Sequence, residues 1–155
     1  MSKIIIRFAS HTGIFNGLCR FAQYGFWATH SEAVLPDSQR IGSWYHKGGV
    51  RIEPPDYDTG TIKQELFIGL KATDAQAETF YAFLRGQIGK PYDALAIASF
   101  VSGRDWQQPD SWSCSELIGA GLAACGLFPQ HMAVKFSKVT PRDALLLASM
   151  VTEWG

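Results

Sequence analysis

The stretch Ser111-Trp112-Ser113-Cys114-Ser115-Glu116-Leu117, continued by Ile118-Gly119-Ala120-Gly121-Leu122-Ala123-Ala124, decides how the chain is read. Its second half is a helix of small and apolar residues, whose Gly and Ala side chains allow a sheet to approach closely. Ser113 is placed to accept from the first free backbone N–H groups as an N-cap, which sets Cys114 in the first helical turn. There the positive end of the helix dipole and the unpaired N–H groups favour a thiolate over a thiol. The same N–H groups suit the negative oxygen that forms when sulfur attacks a carbonyl. A small buried cysteine is the commoner fate of this residue type, so Cys114 needs a partner before it suggests chemistry.

Working outward, the second half of the chain reads as helices. Thr73-Asp74-Ala75-Gln76 has the form of a capping box and opens a helix that runs to about Ile88, where Gly89-Lys90-Pro91 stops it. Residues 92–101 form a second helix, apolar on nearly every side and therefore expected in the core. Ser113 to Ala124 is the third, and Thr140-Pro141 starts the last, with Pro at the first helical position. The first half is mainly strands: Lys3 to Ala9, Phe26 to Leu35, Arg40 to Tyr45, Val50 to Glu53 and Glu65 to Leu70, with one short helix between Gly13 and Tyr24. Strands followed by helices predict a single α+β domain over residues 1–155.

The partner for Cys114 comes from the strands. In Ala28-Thr29-His30-Ser31-Glu32-Ala33-Val34-Leu35, alternation puts His30, Glu32 and Val34 on one face. An imidazole pointing from a strand to a helix N-terminus is what a thiol–imidazole pair requires. A core or edge-strand histidine is the bland alternative.

Composition narrows the classes. The 155 residues carry 14 basic and 14 acidic side chains, for zero formal net charge. That leaves no broad positive field for a phosphate backbone, so nucleic acid is not expected as a partner. Arg7 interrupts the N-terminal Ile4-Ile5-Ile6 run too early for a signal sequence, and no apolar run reaches the ~20 residues of a membrane span. The expectation is a cytoplasmic protein without stable membrane insertion. Three cysteines (Cys19, Cys114, Cys125) without paired spacing suggest reduced thiols. No Cys-x-x-Cys or His-x-x-x-His spacing points to a metal, and no cofactor is expected.

Four segments together resemble a known family: Thr29-His30-Ser31-Glu32, Gly48-Gly49-Val50, Ile88-Gly89-Lys90-Pro91-Tyr92-Asp93, and Trp112-Ser113-Cys114-Ser115-Glu116-Leu117. Their order, strand histidine first and helix-start cysteine last, is similar to that of the permuted NlpC/P60 proteins (the YiiX- and YebB-like members of the papain-like superfamily). The lecithin:retinol acyltransferase-like enzymes are relatives of these. The resemblance spans residues 3–125. It implies a circularly permuted papain-like fold, with a small antiparallel sheet or barrel packed against helices. It also implies a cysteine hydrolase in which His30 takes the proton of Cys114 and an acyl-thioester forms.

The family's third polar residue comes from the strand after the histidine strand. Ile41-Gly42-Ser43-Trp44-Tyr45-His46 has no carboxylate there, which departs from the pattern. Ser43 and His46 are candidates by position. Glu32 is the candidate by chemistry, since residues two apart on a strand share a face at roughly 6–7 Å, and it is the favoured one. The resemblance places Tyr92 beside the cysteine, where its hydroxyl could serve the oxyanion or the substrate, and Ser115 joins it as an oxyanion or substrate-binding residue. Asp93 reads as a helix N-cap, Glu116 as a first-turn carboxylate, and Trp112 as packing under the helix entry and walling the cleft. His11 and His131 read as surface residues.

Three functions are compatible with this reading. They are a cysteine amidase or peptidase, such as one acting on a cell-wall stem peptide; a lipid or thioester acyl hydrolase or acyltransferase; and a catalytically silent interaction domain of a phage or bacterium. An exposed amphipathic anchor would favour the second. The substrate is expected to be a small molecule, a peptide or a lipid, and neither its identity nor the oligomeric state is encoded in a readable motif.

Overall fold

The computed structural model describes residues 2–102, 110–128 and 139–152, apart from the side chains at 97 and 99–101. Five strands form one antiparallel sheet: β1 (Ser2–His11), β2 (His30–Val34), β3 (Arg40–Trp44), β4 (Gly49–Glu53) and β5 (Ile62–Ala72). Their spatial order is β4-β3-β2-β1-β5. The sheet is open, with β4 and β5 at its edges, so of the two forms expected it is a sheet and not a closed barrel. The helices are α1 (Ile14–Ala22), α2 (Asp74–Gly86), α3 (Leu95–Ser102), α4 (Cys114–Ala124) and α5 (Pro141–Met150).

The register divides the sheet into two chemically distinct faces. Alternation along β1 sends Ile4, Ile6 and Phe8 to one side, where they join Phe80 of α2 and Leu117 and Ile118 of α4 in the main core. The other side carries Arg7, which stands opposite Glu32 on β2, while Ala9 stands opposite His30. One face is therefore the hydrophobic core. The other holds a buried polar network, covered in part by the segment between β4 and β5.

Helix α4 starts as its sequence predicts. The Ser113 hydroxyl accepts from the Glu116 N–H at 3.3 Å, and the Glu116 carboxylate accepts from the Ser113 N–H at 3.1 Å. Thr73–Gln76 and Thr140–Asp143 make the same reciprocal arrangement on α2 and α5. Helix α4 packs on β2 and β3 as well as on α2, and at Gly121 the close approach is to the helix, where a Cβ would lie 2.9 Å from the Phe80 ring.

Other expectations are corrected locally. The strand expected from Phe26 begins only at His30, because the Ala28 carbonyl is taken by the buried Gln23 side chain at 2.8 Å and not by a neighbouring strand. The helix expected from Tyr92 begins at Leu95, because Tyr92 forms an isolated parallel bridge with Trp112. Asp93 accepts from the Leu95 N–H at 3.0 Å, as an N-cap does. Helix α3 is not uniformly buried: Ala96 is enclosed while Leu95 is 44% exposed. The helix between Gly13 and Tyr24 is present as α1, but Ile14 (87% exposed), Leu18 (51%) and Phe21 (76%) face outward. No helix among the described residues is long and apolar enough to cross a membrane.

Candidate active site

Four chain segments meet at the start of β2. Gly49 lets β4 press against the turn after α2, so that the Val50 N–H donates to the Lys90 carbonyl and the Gly89 N–H to the Val50 carbonyl, both at 2.9 Å. The next residues are gripped from the other side. The Trp112 N–H donates to the Pro91 carbonyl at 3.0 Å, and the Asp93 N–H to the Trp112 carbonyl at 3.2 Å. Ser43 on β3 closes the arrangement by donating its hydroxyl to the Trp112 carbonyl at 2.6 Å. These bonds fix Tyr92 and the entry to α4 relative to the sheet, and with them Cys114.

The Cys114 thiol is hydrogen-bonded to the His30 imidazole and also receives the backbone N–H groups of Ser31 and Ser115. His30 donates from Nε2 to the Glu32 carboxylate at 3.1 Å, which leaves Nδ1 as the nitrogen for sulfur. Glu32 is fully buried and strongly anchored. It accepts from Arg7 at 2.8 Å and from the Tyr57 hydroxyl at 2.8 Å. The Tyr57 hydroxyl in turn accepts from Trp44 Nε1 at 3.0 Å.

These contacts decide the protonation pattern. Burial opposes charge on both members of the Cys114–His30 pair, but their mutual hydrogen bond and attraction, with Glu32 behind, outweigh it. His30 is thereby raised to about 10. Cys114 is lowered from the ordinary thiol range against the effect of its burial, by its bond to His30 first and then by the imidazolium charge and the two backbone N–H groups. Glu32 is held below the usual carboxylate range by His30 and Arg7. The pair therefore rests as thiolate and imidazolium, a nucleophile and an acid in contact.

A cavity of about 340 Å³ opens onto this pair, lined among others by Cys114, His30, Phe15, Trp44, Tyr45 and Tyr92. Phe15 of α1 stacks on Tyr45 at 4.5 Å, and both rings meet Tyr92 edge-on at 5.8 and 5.7 Å. These rings form an aromatic wall, while Thr12, Asn16, Lys47 and Asp58 bring polar groups to the rest of the lining.

Of the expected site residues, Cys114, His30 and Glu32 come together, and Tyr92 lines the same cavity. Ser43 and His46 do not orient the imidazole. Ser43 spends its hydroxyl on Trp112, and His46 lies exposed at the rim with its ring 5.9 Å from Phe15. Ser115 contributes its backbone N–H only, because its hydroxyl is buried on the Val139 carbonyl. Trp112 packs against Phe83 and donates to Gln87, so it supports the helix entry without walling the cavity. Glu116 is buried in the capping of α4.

His11 overturns its reading as a surface residue. It lines the cavity, donates to Asp58 at 2.6 Å, and has its ring 5.9 Å from that of His30. Its place at the end of β1, two residues past the partner of His30, could have signalled this. Asp58 and Tyr57 come from an irregular segment without a periodic signal. His131 lies outside the described residues. No group of three or more possible metal ligands occurs among the described residues.

No protein-family model matches the chain, and no curated protein is significantly similar to it in sequence.

Proposed function

We propose that the chain is a cysteine hydrolase of the permuted papain-like (NlpC/P60) type, using Cys114 as nucleophile, His30 as acid–base and Glu32 as the residue that orients and charges the imidazole. The observation that carries this reading is the continuous hydrogen-bonded series Cys114–His30–Glu32 opening on a cavity walled in part by aromatic rings. The thiolate attacks an amide or ester carbonyl, and the oxyanion forms near the N-terminus of α4 and the Tyr92 hydroxyl. His30 then passes its proton to the leaving group, and water resolves the acyl-thioester. A cell-wall peptide amidase is one such enzyme.

The second reading, an acyl hydrolase or acyltransferase on lipids or thioesters, is favoured by one feature. Helix α1 reaches the cavity through Phe15 and Asn16 while exposing Ile14, Leu18 and Phe21. An apolar substrate is well served by such an approach.

The test is labelling by an electrophilic acyl probe at neutral pH in the wild type, Cys114→Ala and His30→Ala. Labelling that needs both residues supports the proposal, and a panel of amides, esters and thioesters then separates the two readings. Equal labelling of all three proteins defeats it and leaves a silent interaction domain.

A further inference from the structure

A charge inside a sheet is costly unless it is paired, and Arg7, which breaks the apolar run Ile4-Ile5-Ile6, is only 2% exposed. We propose that Arg7 is a positioning residue for the Cys114–His30 pair: its guanidinium fixes one oxygen of Glu32 so that the other faces the imidazole as an ionised acceptor. This rests on the cysteine hydrolase reading and deepens it.

The strand register sets the contact. Arg7 on β1 stands directly opposite Glu32 on β2, where facing side chains meet. Arg7 Nη1 donates to Glu32 Oε1 at 2.8 Å. Glu32 Oε2 is thereby left to accept from His30 Nε2 at 3.1 Å and from the Tyr57 hydroxyl at 2.8 Å. The guanidinium is itself anchored by Asp58, 2.8 Å from Nη1, and by Glu65, 2.7 Å from Nε. The rings of Tyr57 and Phe67 each lie 6.0 Å from its central carbon. Anchors on two nitrogens and two flanking rings leave the planar fork little freedom to turn.

Arg40 shows what a nearby charge without such a bond looks like. Its Nε lies 3.6 Å from the same Glu32 oxygen and makes no hydrogen bond to any described residue. Arg40 adds positive charge near Glu32, whereas Arg7 also sets its direction.

The shared proton explains why that direction matters. In a dry site an imidazolium beside a carboxylate can pass its proton across and leave two neutral groups. At Glu32 this transfer would weaken the charge-assisted bond to Arg7, and a guanidinium does not give up its own proton to compensate. Arg7 therefore keeps Glu32 an anion, Glu32 keeps the imidazole charged and oriented, and the imidazolium keeps Cys114 a thiolate.

The test compares three variants of the full chain. Arg7→Met/Glu65→Gln withdraws a cation and an anion together, which limits the cost to folding. Glu65→Gln alone loosens the same cluster and leaves the bond to Glu32 intact. Arg7→Lys keeps the charge as a point on a flexible stem and loses the fork. The readouts are the ultraviolet absorbance of the Cys114 thiolate, taken against Cys114→Ala, and the pH profile of Cys114 alkylation by iodoacetamide. In the double variant the ratio of thiolate to thiol should fall roughly 10- to 100-fold, with the acid limb of alkylation moved to higher pH. Arg7→Lys should show a smaller shift in the same direction. Glu65→Gln should match the wild type in both readouts, whatever its denaturation midpoint. A folded double variant with the wild-type thiolate overturns the proposal. So does an equal loss in Glu65→Gln, since the cluster would then act only through packing. If the double variant does not fold, Arg7→Lys decides on the same readouts, and wild-type values there overturn the proposal. A wild type without a Cys114 thiolate at neutral pH defeats the hydrolase reading itself, and this inference with it.

Discussion

Replacing Glu32 by Gln removes one buried charge while keeping the shape of the side chain. The cost to folding is contained, because Arg7 keeps Asp58 at 2.8 Å and Glu65 at 2.7 Å and is not left without an anion. We expect a loss of about 1–3 kcal/mol, read as a lower denaturation midpoint. The cost to chemistry is larger. His30 is protonated to about 10 partly through Glu32, and a hydrogen bond between charged groups is worth about 1.5–3 kcal/mol. At 1.36 kcal/mol per factor of ten, the thiolate–imidazolium form becomes roughly 10–100 times less populated relative to the neutral pair. The assay is the pH profile of Cys114 alkylation by iodoacetamide, whose acid limb should move to higher pH in Glu32→Gln. A profile superimposable on that of the wild type, in a folded variant, would refute the reasoning.

Three further outcomes follow from the same geometry. Tyr57→Phe removes the donor to Glu32 and strands Trp44 Nε1; turnover should fall roughly five- to tenfold, about 1–1.5 kcal/mol, with the Cys114 alkylation profile moved slightly in the direction of Glu32→Gln. Gly49→Ala should destabilise the fold by about 3 kcal/mol or more in a denaturant titration, because Gly49 has φ +132° and an added Cβ would stand 2.8 Å from the Pro91 Cα and nearer still to the Lys90 carbonyl. The third concerns pH. From 6.5 to 9.0 the unfolded pair holds its single proton on sulfur and the folded pair holds it on His30, so the proton counts match and the pair adds no slope. Above 9.0 only the folded pair keeps a proton, so stability falls until about pH 10, by roughly 1.4 kcal/mol per pH unit. Below 6.5 the unfolded chain binds the extra proton, and stability falls with acid. Denaturation midpoints of the wild type against a Cys114→Ser/His30→Gln double variant should show this flat-topped profile, and a monotonic difference between them would contradict it.

The parts of this fold legible in the sequence are those with local causes. The capping patterns at Thr73, Ser113 and Thr140 start helices where expected, since a cap is a contact within four residues. The alternation through His30 and Glu32 is likewise local, and it placed the imidazole and its carboxylate together. Less legible was anything set by distant partners. Ser43 stayed a candidate behind Glu32 because the Trp112 carbonyl that takes its hydroxyl lies 69 residues away. His11 looked like a surface residue because Asp58, which holds its ring, lies 47 residues away in an irregular segment. The stripe of small residues on α4 was read for the sheet, on which α4 does pack, but at Gly121 it also admits Phe80 of α2, a contact from a distant helix that no local pattern announces.

The open sheet has a consequence for handling the protein at high concentration. At the β4 edge, both polar backbone groups of Val50 are already spent on the Gly89–Lys90 turn, which blocks that side from adding a foreign strand. The outer edge of β5 has eleven residues and carries exposed Leu66 and Phe67. Lys63, Glu65 and Lys71 along it are the charges that discourage edge-to-edge association, so neutralising them is the change that should promote cross-strand aggregates.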